Sequence, residues 1–339
     1  MEEELRSLDV ITLQETVQEQ SFSFNPRTFD EYLGQEALKE KLRIYVQAAR
    51  MRQEPLDHIL LFGPPGLGKT TLAAVIAHEM DVAIKVCSGP MLERTGDLVA
   101  ILSSLELHMF LFIDEIHRMP SDVEEILYSA MEQFKVDVII GQGAGAKSIS
   151  LPVQPFTLIG ATTKSGLISA PLRSRFGITE RFDFYDDISL CAIIKQNAAF
   201  LSFPLTDDAA LLIAQCARGT PRIAKKLMRR VRDFAQVHGA VAERPFTEMV
   251  LSQLGITSEG LTAVDMAILR VMVERFRGGP VGLETIAAII GEDTDTIETV
   301  YEPFLMRQGY IEKTARGRQI PAMRLPQLAK QLLGQQTIV

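Results

Sequence analysis

The chain of 339 residues carries 35 Lys and Arg against 43 Asp and Glu, a net charge of −8, and 47% of its residues are hydrophobic. This composition excludes wholesale disorder, no apolar run approaches the ~18 residues of a membrane span, and the length predicts two or three domains. The acidic balance also excludes indiscriminate nucleic-acid binding over the whole surface, while leaving room for a local basic patch.

Residues 1–22 are polar and acidic without a clear period and predict an arm. The MEEE start lacks a secretory apolar core, which predicts a cytoplasmic protein. The stretch FNPRTFDEYLGQ at 24–35 leads into a helix over 36–51, where Leu38, Leu42, Val46 and Ala49 recur at 3–4 spacing, near enough to the next motif to wall an adenine. An apolar strand-like run at 59–62 then meets GPPGLGKTT at 63–71 and a helical stretch at 70–80. This is the pattern G-x-x-x-x-G-K-[ST], opened by Gly63. Gly66 and Gly68 let backbone N–H groups turn inward around a β-phosphate, and the helix containing Thr70 and Thr71 adds its unpaired N-terminal donors. Lys69 is expected to reach the β/γ-phosphates of ATP and Thr70 a Mg²⁺ ion.

A second apolar run at 109–113 ends in Asp114-Glu115. Asp114 suits the magnesium hydration shell, and Glu115 is placed to polarise an attacking water, which favours hydrolysis over transfer to a second substrate. Strands at 59–62, 82–86, 109–113, 157–161 and 181–184 alternate with helices at 70–80, 94–105 and 122–134. That alternation predicts an α/β fold, a parallel sheet between helices with ligands at the carboxyl ends of the strands. Cysteines 87, 191 and 216 lie in apolar segments at unrelated spacings and read as reduced core residues.

Residues 136–151 read as a protruding hairpin with a glycine-rich turn, in which Ile149 and Leu151 alternate with Ser148 and Ser150. The apolar face so formed either packs on its own domain or docks a partner. Thr163 ends the 157–161 strand beside the expected γ-phosphate, where its hydroxyl can report that group. Arg173 and Arg175 follow in APLRSRFG at 170–177; the arginine fork suits a transition-state phosphate. After residue 184 the alternation ends, and helices at 187–201, 206–218 and 221–237 predict a helical domain in which Pro221 opens the third helix and puts Arg222 in its first turn. From about 256, helices at 263–276, 283–290 and 296–308, the last disturbed by Pro303, precede a hairpin turn at 313–318. That is the order of a winged helix-turn-helix. Arg307, Lys313, Arg316, Arg318, Arg324 and Lys330 face the single acid Glu312 between 305 and 330, a charge balance suited to following a phosphate backbone.

Together these residues resemble the AAA+ ATPases, and among them the branch-migration motors of bacterial recombination. The resemblance is carried by residues 26–35, GPPGLGKTT, FIDEIHR at 112–118, FTLIGATT at 156–163, APLRSRFG, GTPRIA at 219–224 and YEPFLMRQGYIEKTARGR at 301–318. It covers nearly everything beyond the first twenty residues. It implies a P-loop ATPase domain over 1–183, a helical lid domain over 184–255 and a winged-helix domain over 256–339. It further implies a homohexameric ring around the duplex DNA of a Holliday junction, working with the junction-binding protein RuvA and, indirectly, with the resolvase RuvC. Within that scheme Lys69, Thr70, Asp114 and Glu115 are the ATPase core, Thr163 the first sensor, Arg175 a finger reaching the neighbouring subunit and Arg222 the lid sensor. Glu132, Gln133, Phe134 and Tyr185 fall at nucleotide contacts, Ile149 and Leu151 on the RuvA-docking hairpin, and Lys313, Arg316 and Arg318 on the DNA-contacting wing.

The chain departs from the pattern at Phe24-Asn25-Pro26, where an arginine is usual at the middle position of this nucleotide-contacting segment, and at Thr294 and Lys313, where arginines are common. An AAA+ winged-helix initiator, which switches with nucleotide but need not translocate, is the alternative. A clamp-loader-like factor usually lacks the wing, and no aromatic pore loop suggests an unfoldase.

Overall fold

The computed structural model describes residues 24–140 and 147–333. They fall into two compact units, one formed by residues up to 204 together with 219–226, the other by 205–218 and everything after 226.

The first unit is built on a five-stranded parallel sheet in the order β2-β3-β6-β1-β7, with β1 Ile59–Phe62, β2 Ile84–Ser88, β3 Phe110–Asp114, β6 Thr157–Thr162 and β7 Ile178–Arg181. Its helices are α1 Glu36–Arg52, α2 Lys69–Met80, α3 Thr95–Ser103, α4 Ser121–Gln133, α5 Ala170–Ser174 and α6 Asp187–Phe200. Leu60, Leu111, Ile113 and Leu158 of the sheet pack in one core cluster with Leu98 and Leu102 of α3 and Val123 and Leu127 of α4. Burying each such side chain contributes roughly 1.5–3 kcal/mol. The expected stripe of α1, Leu38, Leu42, Val46 and Ala49, is buried. Strands β4 Lys135–Ile140 and β5 Lys147–Pro152 form a separate antiparallel hairpin, with Val136 opposite Leu151 and Val138 opposite Ile149. The glycine-rich tip of that hairpin lies outside the described residues.

The register decides which strand ends meet. Phe62 of β1 pairs with Thr162 of β6, and Ile113 of β3 with Gly160, so the phosphate loop after β1 and the acidic pair after β3 flank the end of β6.

The second unit holds α7 Asp207–Cys216, the part of α8 Pro221–His238 beyond residue 226, α9 Arg244–Gln253, and a C-terminal helix-rich module. That module comprises α10 Ala263–Glu274, α11 Leu283–Ile290, α12 Thr294–Thr296, a π turn over Ile297–Tyr301, α13 Glu302–Arg307, the β8–β9 hairpin (Glu312–Thr314 and Gly317–Gln319) and α14 Leu325–Leu333. Thr262 caps α10 in a reciprocal capping box with Asp265. Val281 forms an isolated antiparallel bridge with Arg318 beside the hairpin.

The structure moves several expected boundaries. The strand expected at 181–184 is observed at Ile178–Arg181; the apolar residue that suggested the later span, Phe182, is fully buried just past the strand end, against Gly63. The strand expected at 82–86 is Ile84–Ser88, since its buried residue is Cys87 while Val86 is exposed. The single helix expected at 296–308 starts at Thr294 and passes through a π turn. Pro303 cannot donate to the carbonyl of Thr299, and the π turn ends directly ahead of it. Helices α9 and α14 were not anticipated. The three cysteines form no disulfide.

Candidate nucleotide site and nucleic-acid interface

The loop between β1 and α2 turns on glycines at positive φ: Gly63 at 143°, Gly66 at 76° and Gly68 at 96°. At Gly66 a β-carbon would come within 2.8 Å of the Thr220 methyl and 3.1 Å of the Arg222 Cβ, so the first turn of α8 lies against the loop and only glycine admits it. The Arg222 N–H donates to the Gly66 carbonyl at 3.3 Å. Lys69 opens α2, and its ammonium donates to the carbonyls of Gly63 (2.8 Å) and Pro64 (2.9 Å). Burial lowers the Lys69 ammonium below its ordinary range, while Asp114 and Glu115 oppose that shift and Arg222 adds to it. These four charges therefore share one field. Thr70 and Thr71 occupy the first turn of α2, beside Lys69.

At the end of β3, Asp114 is raised by burial and partly restored by the Glu115 N–H, which it accepts at 2.9 Å. Glu115 itself takes a left-handed conformation, φ 46° and ψ 45°, unusual for a residue with a β-carbon. Gly89 permits this turn, since a β-carbon there would lie 2.4 Å from the Glu115 carbonyl oxygen. The Glu115 carboxylate accepts from the Thr163 hydroxyl at 3.0 Å and its N–H at 3.3 Å, and lies 3.2 Å from His117 Nδ1. The fold thus brings Lys69, Asp114, Glu115, Thr163 and Arg222 to one end of the sheet. The donor set fits magnesium and triphosphate: backbone amides and an ammonium for anionic oxygens, with a hydroxyl and a carboxylate as hard ligands for a small cation that keeps several waters. Among the described residues no cluster of three His, Cys, Asp or Glu could hold a metal by itself.

Beside the loop lies a small cleft lined by Phe24, Leu33, Gly68, Thr71, Tyr185 and Lys225 among others. Phe24, Leu33 and the Tyr185 ring give it apolar walls of the kind that suit the flat face of a planar ligand. The hydroxyls of Tyr32 and Tyr185 are 3.0 Å apart, and Tyr185 donates to the Leu67 carbonyl at 3.1 Å. Burial raises both phenols, that of Tyr185 to about 12, so both stay neutral donors at physiological pH. Phe24 is anchored at both backbone groups, its N–H to Asn197 Oδ1 (2.9 Å) and its carbonyl from the Lys225 ammonium (3.0 Å). Asn25 is exposed and does not line the cleft.

Glu132, Gln133 and Phe134 do not line that cleft either. Glu132 pairs instead with Arg175 at 3.0 Å, and Phe134 packs edge-on against Phe156. The Arg175 guanidinium donates to the Tyr128 hydroxyl at 2.6 Å and stacks 4.7 Å from its ring centroid. Arg175, Tyr128 and Glu132 therefore form a second cluster.

On the hairpin, Ile149 is 44% exposed while Leu151 is half-buried opposite the buried Val136. The packing reading thus holds for Leu151, while Ile149 faces solvent.

The wing corrects the charge count. Arg318 is turned inward, its guanidinium forked onto Glu302 at 2.6 and 3.0 Å, with side chains only 12% and 5% exposed. Lys313 pairs with Glu298 at 3.2 Å. Arg324 stacks on Tyr310 and donates to the Gln308 carbonyl. Arg316, at the turn between β8 and β9, is exposed. Glu302 escaped sequence reasoning because it lies 16 residues from Arg318; the i,i+4 pair Glu298/Glu302 on a helix beside a basic hairpin was the available signal. Tyr128 and His117 escaped because their partners lie 47 and 45 residues away.

Three family models match the chain in succession: the Holliday junction DNA helicase RuvB P-loop domain over residues 24–182, the RuvB AAA lid domain over 185–257 and the RuvB C-terminal winged helix domain over 258–324. The chain is 52% identical over 299 residues to the Holliday junction branch migration complex subunit RuvB of Ligilactobacillus salivarius, covering 88% of this chain and 89% of the relative. The corresponding subunit of Lactococcus lactis is 51% identical over 299 residues, covering 88% and 90%. The solved structure of the RuvB Holliday junction branch migration motor of Thermotoga maritima matches with a TM-score of 0.79 at 48% identity, covering 90% of this chain and 97% of that one. The solved structure of a proline-to-glycine mutant of the same Thermotoga protein gives a TM-score of 0.81 at 47% identity, covering 90% and 98%. With its sheet, lid and winged helix matched in order along most of its length, the chain belongs to the RuvB family of AAA+ ATPases.

Proposed function

We propose that this chain is an ATP-hydrolysing motor that drives branch migration of Holliday junctions. The observation that carries the reading is the convergence of Lys69, Asp114, Glu115, Thr163 and Arg222 at one end of the sheet, in a chain matched to its family through to a winged helix. Lys69 and the loop amides hold the phosphates, Thr70 and Asp114 hold Mg²⁺, which supplies charge neutralisation when bound, and Glu115 orients the attacking water. Thr163 links the state of Glu115 to the end of β6, and Arg222 carries the lid's response to nucleotide. Tyr185, Thr71 and the segment at Phe24 wall the base, and the exposed Asn25 replaces an arginine without removing that wall.

In this reading residues 1–183, 184–255 and 256–339 act as ATPase, lid and DNA-binding parts. Arg175 serves the nucleotide of the neighbouring subunit in a homohexameric ring, and Glu132, Gln133 and Phe134 contribute to that neighbouring site. The pairing of Arg175 with Glu132, neither of which lines the cleft of its own chain, supports that arrangement. The wing follows duplex phosphates, the hairpin at Ile149 docks RuvA, and RuvC acts on the junctions the motor presents. The protein works in the cytoplasm; no helix among the described residues is long and apolar enough to cross a membrane.

The test is ATP-dependent dissociation of a synthetic four-way junction, with and without RuvA. Turnover that leaves the junction intact under both conditions would favour the initiator-like switch instead.

A further inference from the structure

We infer that His117 is a positioning residue that fixes the orientation of Glu115 through its Nδ1 atom. The inference rests on the proposed role of Glu115 as the group that orients water. Glu115 leaves β3 in a left-handed conformation and enters the short 3-10 turn Ile116–Arg118, so its backbone alone does not aim the carboxylate as a regular helix or strand would. Three contacts converge on one carboxylate oxygen, Oε2: the Thr163 hydroxyl at 3.0 Å, the Thr163 N–H at 3.3 Å and His117 Nδ1 at 3.2 Å. The other oxygen is left to take a proton from water. His117 Nδ1 is also 2.9 Å from Thr162 Oγ1, which accepts the Lys164 N–H at 3.0 Å. The imidazole, 7% exposed, is thereby held to the end of β6 while it touches the acid at the end of β3.

The chemistry assigns the proton. An ionised carboxylate oxygen only accepts, so a ring nitrogen at this distance attracts it only when that nitrogen carries hydrogen. With hydrogen on Nδ1, the ring donates to Thr162 Oγ1 at 2.9 Å and turns the same positive N–H toward Glu115 Oε2 at 3.2 Å. Removing it leaves Glu115 held by Thr163 alone, from one side, and free to rotate about its own side-chain bonds. A base misplaced by about 1 Å loses rate on the order of 10–100-fold, while phosphate binding, made by other residues, is unaffected.

The shapes of asparagine and glutamine separate this role from a general need for a polar side chain. An asparagine amide nitrogen occupies nearly the position of Nδ1, whereas that of glutamine falls near Nε2. The full-length chain would be assayed as His117→Ala, His117→Asn and His117→Gln, measuring kcat and KM for Mg-ATP, fluorescent ADP binding and thermal unfolding. The expected result for His117→Ala is a fall in kcat of about 10–100-fold with KM and ADP affinity within about twofold. His117→Asn should recover most of the loss and His117→Gln little of it. Full kcat in the alanine variant, a matching loss of ADP affinity, or an asparagine rate at or below that of glutamine would each overturn the inference. If the alanine variant fails to fold, the asparagine and glutamine pair decides alone. Glu115→Gln run in parallel separates the two levels. Normal turnover there sinks the assignment of Glu115 itself. An inactive Glu115→Gln beside fully active His117 variants sinks only the role of His117.

Discussion

Replacing Arg318 by alanine should damage the fold of the C-terminal module more than its grip on DNA. Arg318 and Glu302 form a two-pronged pair at 2.6 and 3.0 Å with side chains 12% and 5% exposed, so the alanine variant strands a carboxylate that is nearly out of water. Leaving one member of a buried pair uncompensated costs about 3–5 kcal/mol, whereas replacing both by apolar residues of similar volume is often neutral. Arg318→Ala should therefore lower stability by about 3 kcal/mol or more, and Arg318→Met with Glu302→Met should recover most of it. The chain has no tryptophan, so urea unfolding is best followed by circular dichroism. In parallel, anisotropy of a labelled duplex measured against salt reports the phosphate contacts. Arg316→Ala should flatten the slope of log K against log salt by about 0.9, because an exposed cation meeting a phosphate releases condensed counterion. The Met/Met variant should leave that slope nearly unchanged, since the Arg318 charge is already matched by Glu302. The reasoning fails if Arg318→Ala keeps the wild-type unfolding midpoint and loses about one unit of slope.

Mixed rings of Arg175→Ala and Lys69→Ala chains should regain ATPase activity that neither has alone, because some interfaces then pair an intact pocket with an intact finger; no recovery at any ratio, once subunit exchange is confirmed, would count against action in trans. Adding Tyr128→Phe to the Lys69→Ala partner should reduce the recovered rate, since the hydroxyl 2.6 Å from the guanidinium is lost. Ile149→Glu should leave folding and intrinsic ATPase intact and abolish stimulation by RuvA, while Leu151→Glu, opposite the buried Val136, should also lower the melting temperature. If Ile149→Glu alone unfolds the chain, the hairpin face is core. At pH 8 iodoacetamide should alkylate Cys191 before Cys87, because burial pushes the Cys87 thiol up to about 12 and keeps it protonated; peptide mapping of labelled native protein checks the order.

The parts of the site that sequence exposed are those whose chemistry is local. GPPGLGKTT holds the loop, the lysine and the first turn of α2 in nine consecutive residues, and Asp114-Glu115 ends a fully apolar strand. The order of buried strands was legible for the same reason, whereas the edge strands β2 and β7 slipped because one face of each meets solvent and blurs the apolar run. What sequence could not show was pairing across distance. His117 stands inside the motif that carried the acidic pair, yet its relation to Thr162 exists only because β3 and β6 are neighbours.

Counting charges carried the same blindness into the wing, with a consequence for how duplex is held. Of the basic residues between 305 and 330, Arg318 and Lys313 are matched by Glu302 and Glu298, and Arg324 by the Tyr310 ring and a carbonyl, while Arg316 stands exposed. If the wing binds duplex as proposed, a single wing should offer about one or two phosphate contacts, a salt slope near roughly −1 to −2 and weak affinity. The proposed ring would place several wings on one duplex, and each contact after the first would form at high effective concentration. The assembled form should accordingly show a steeper slope than the isolated chain, in proportion to the number of wings engaged. Sedimentation would fix the oligomeric state in each titration. Equal slopes for monomer and ring would mean that the phosphate contacts are made elsewhere than on the wing.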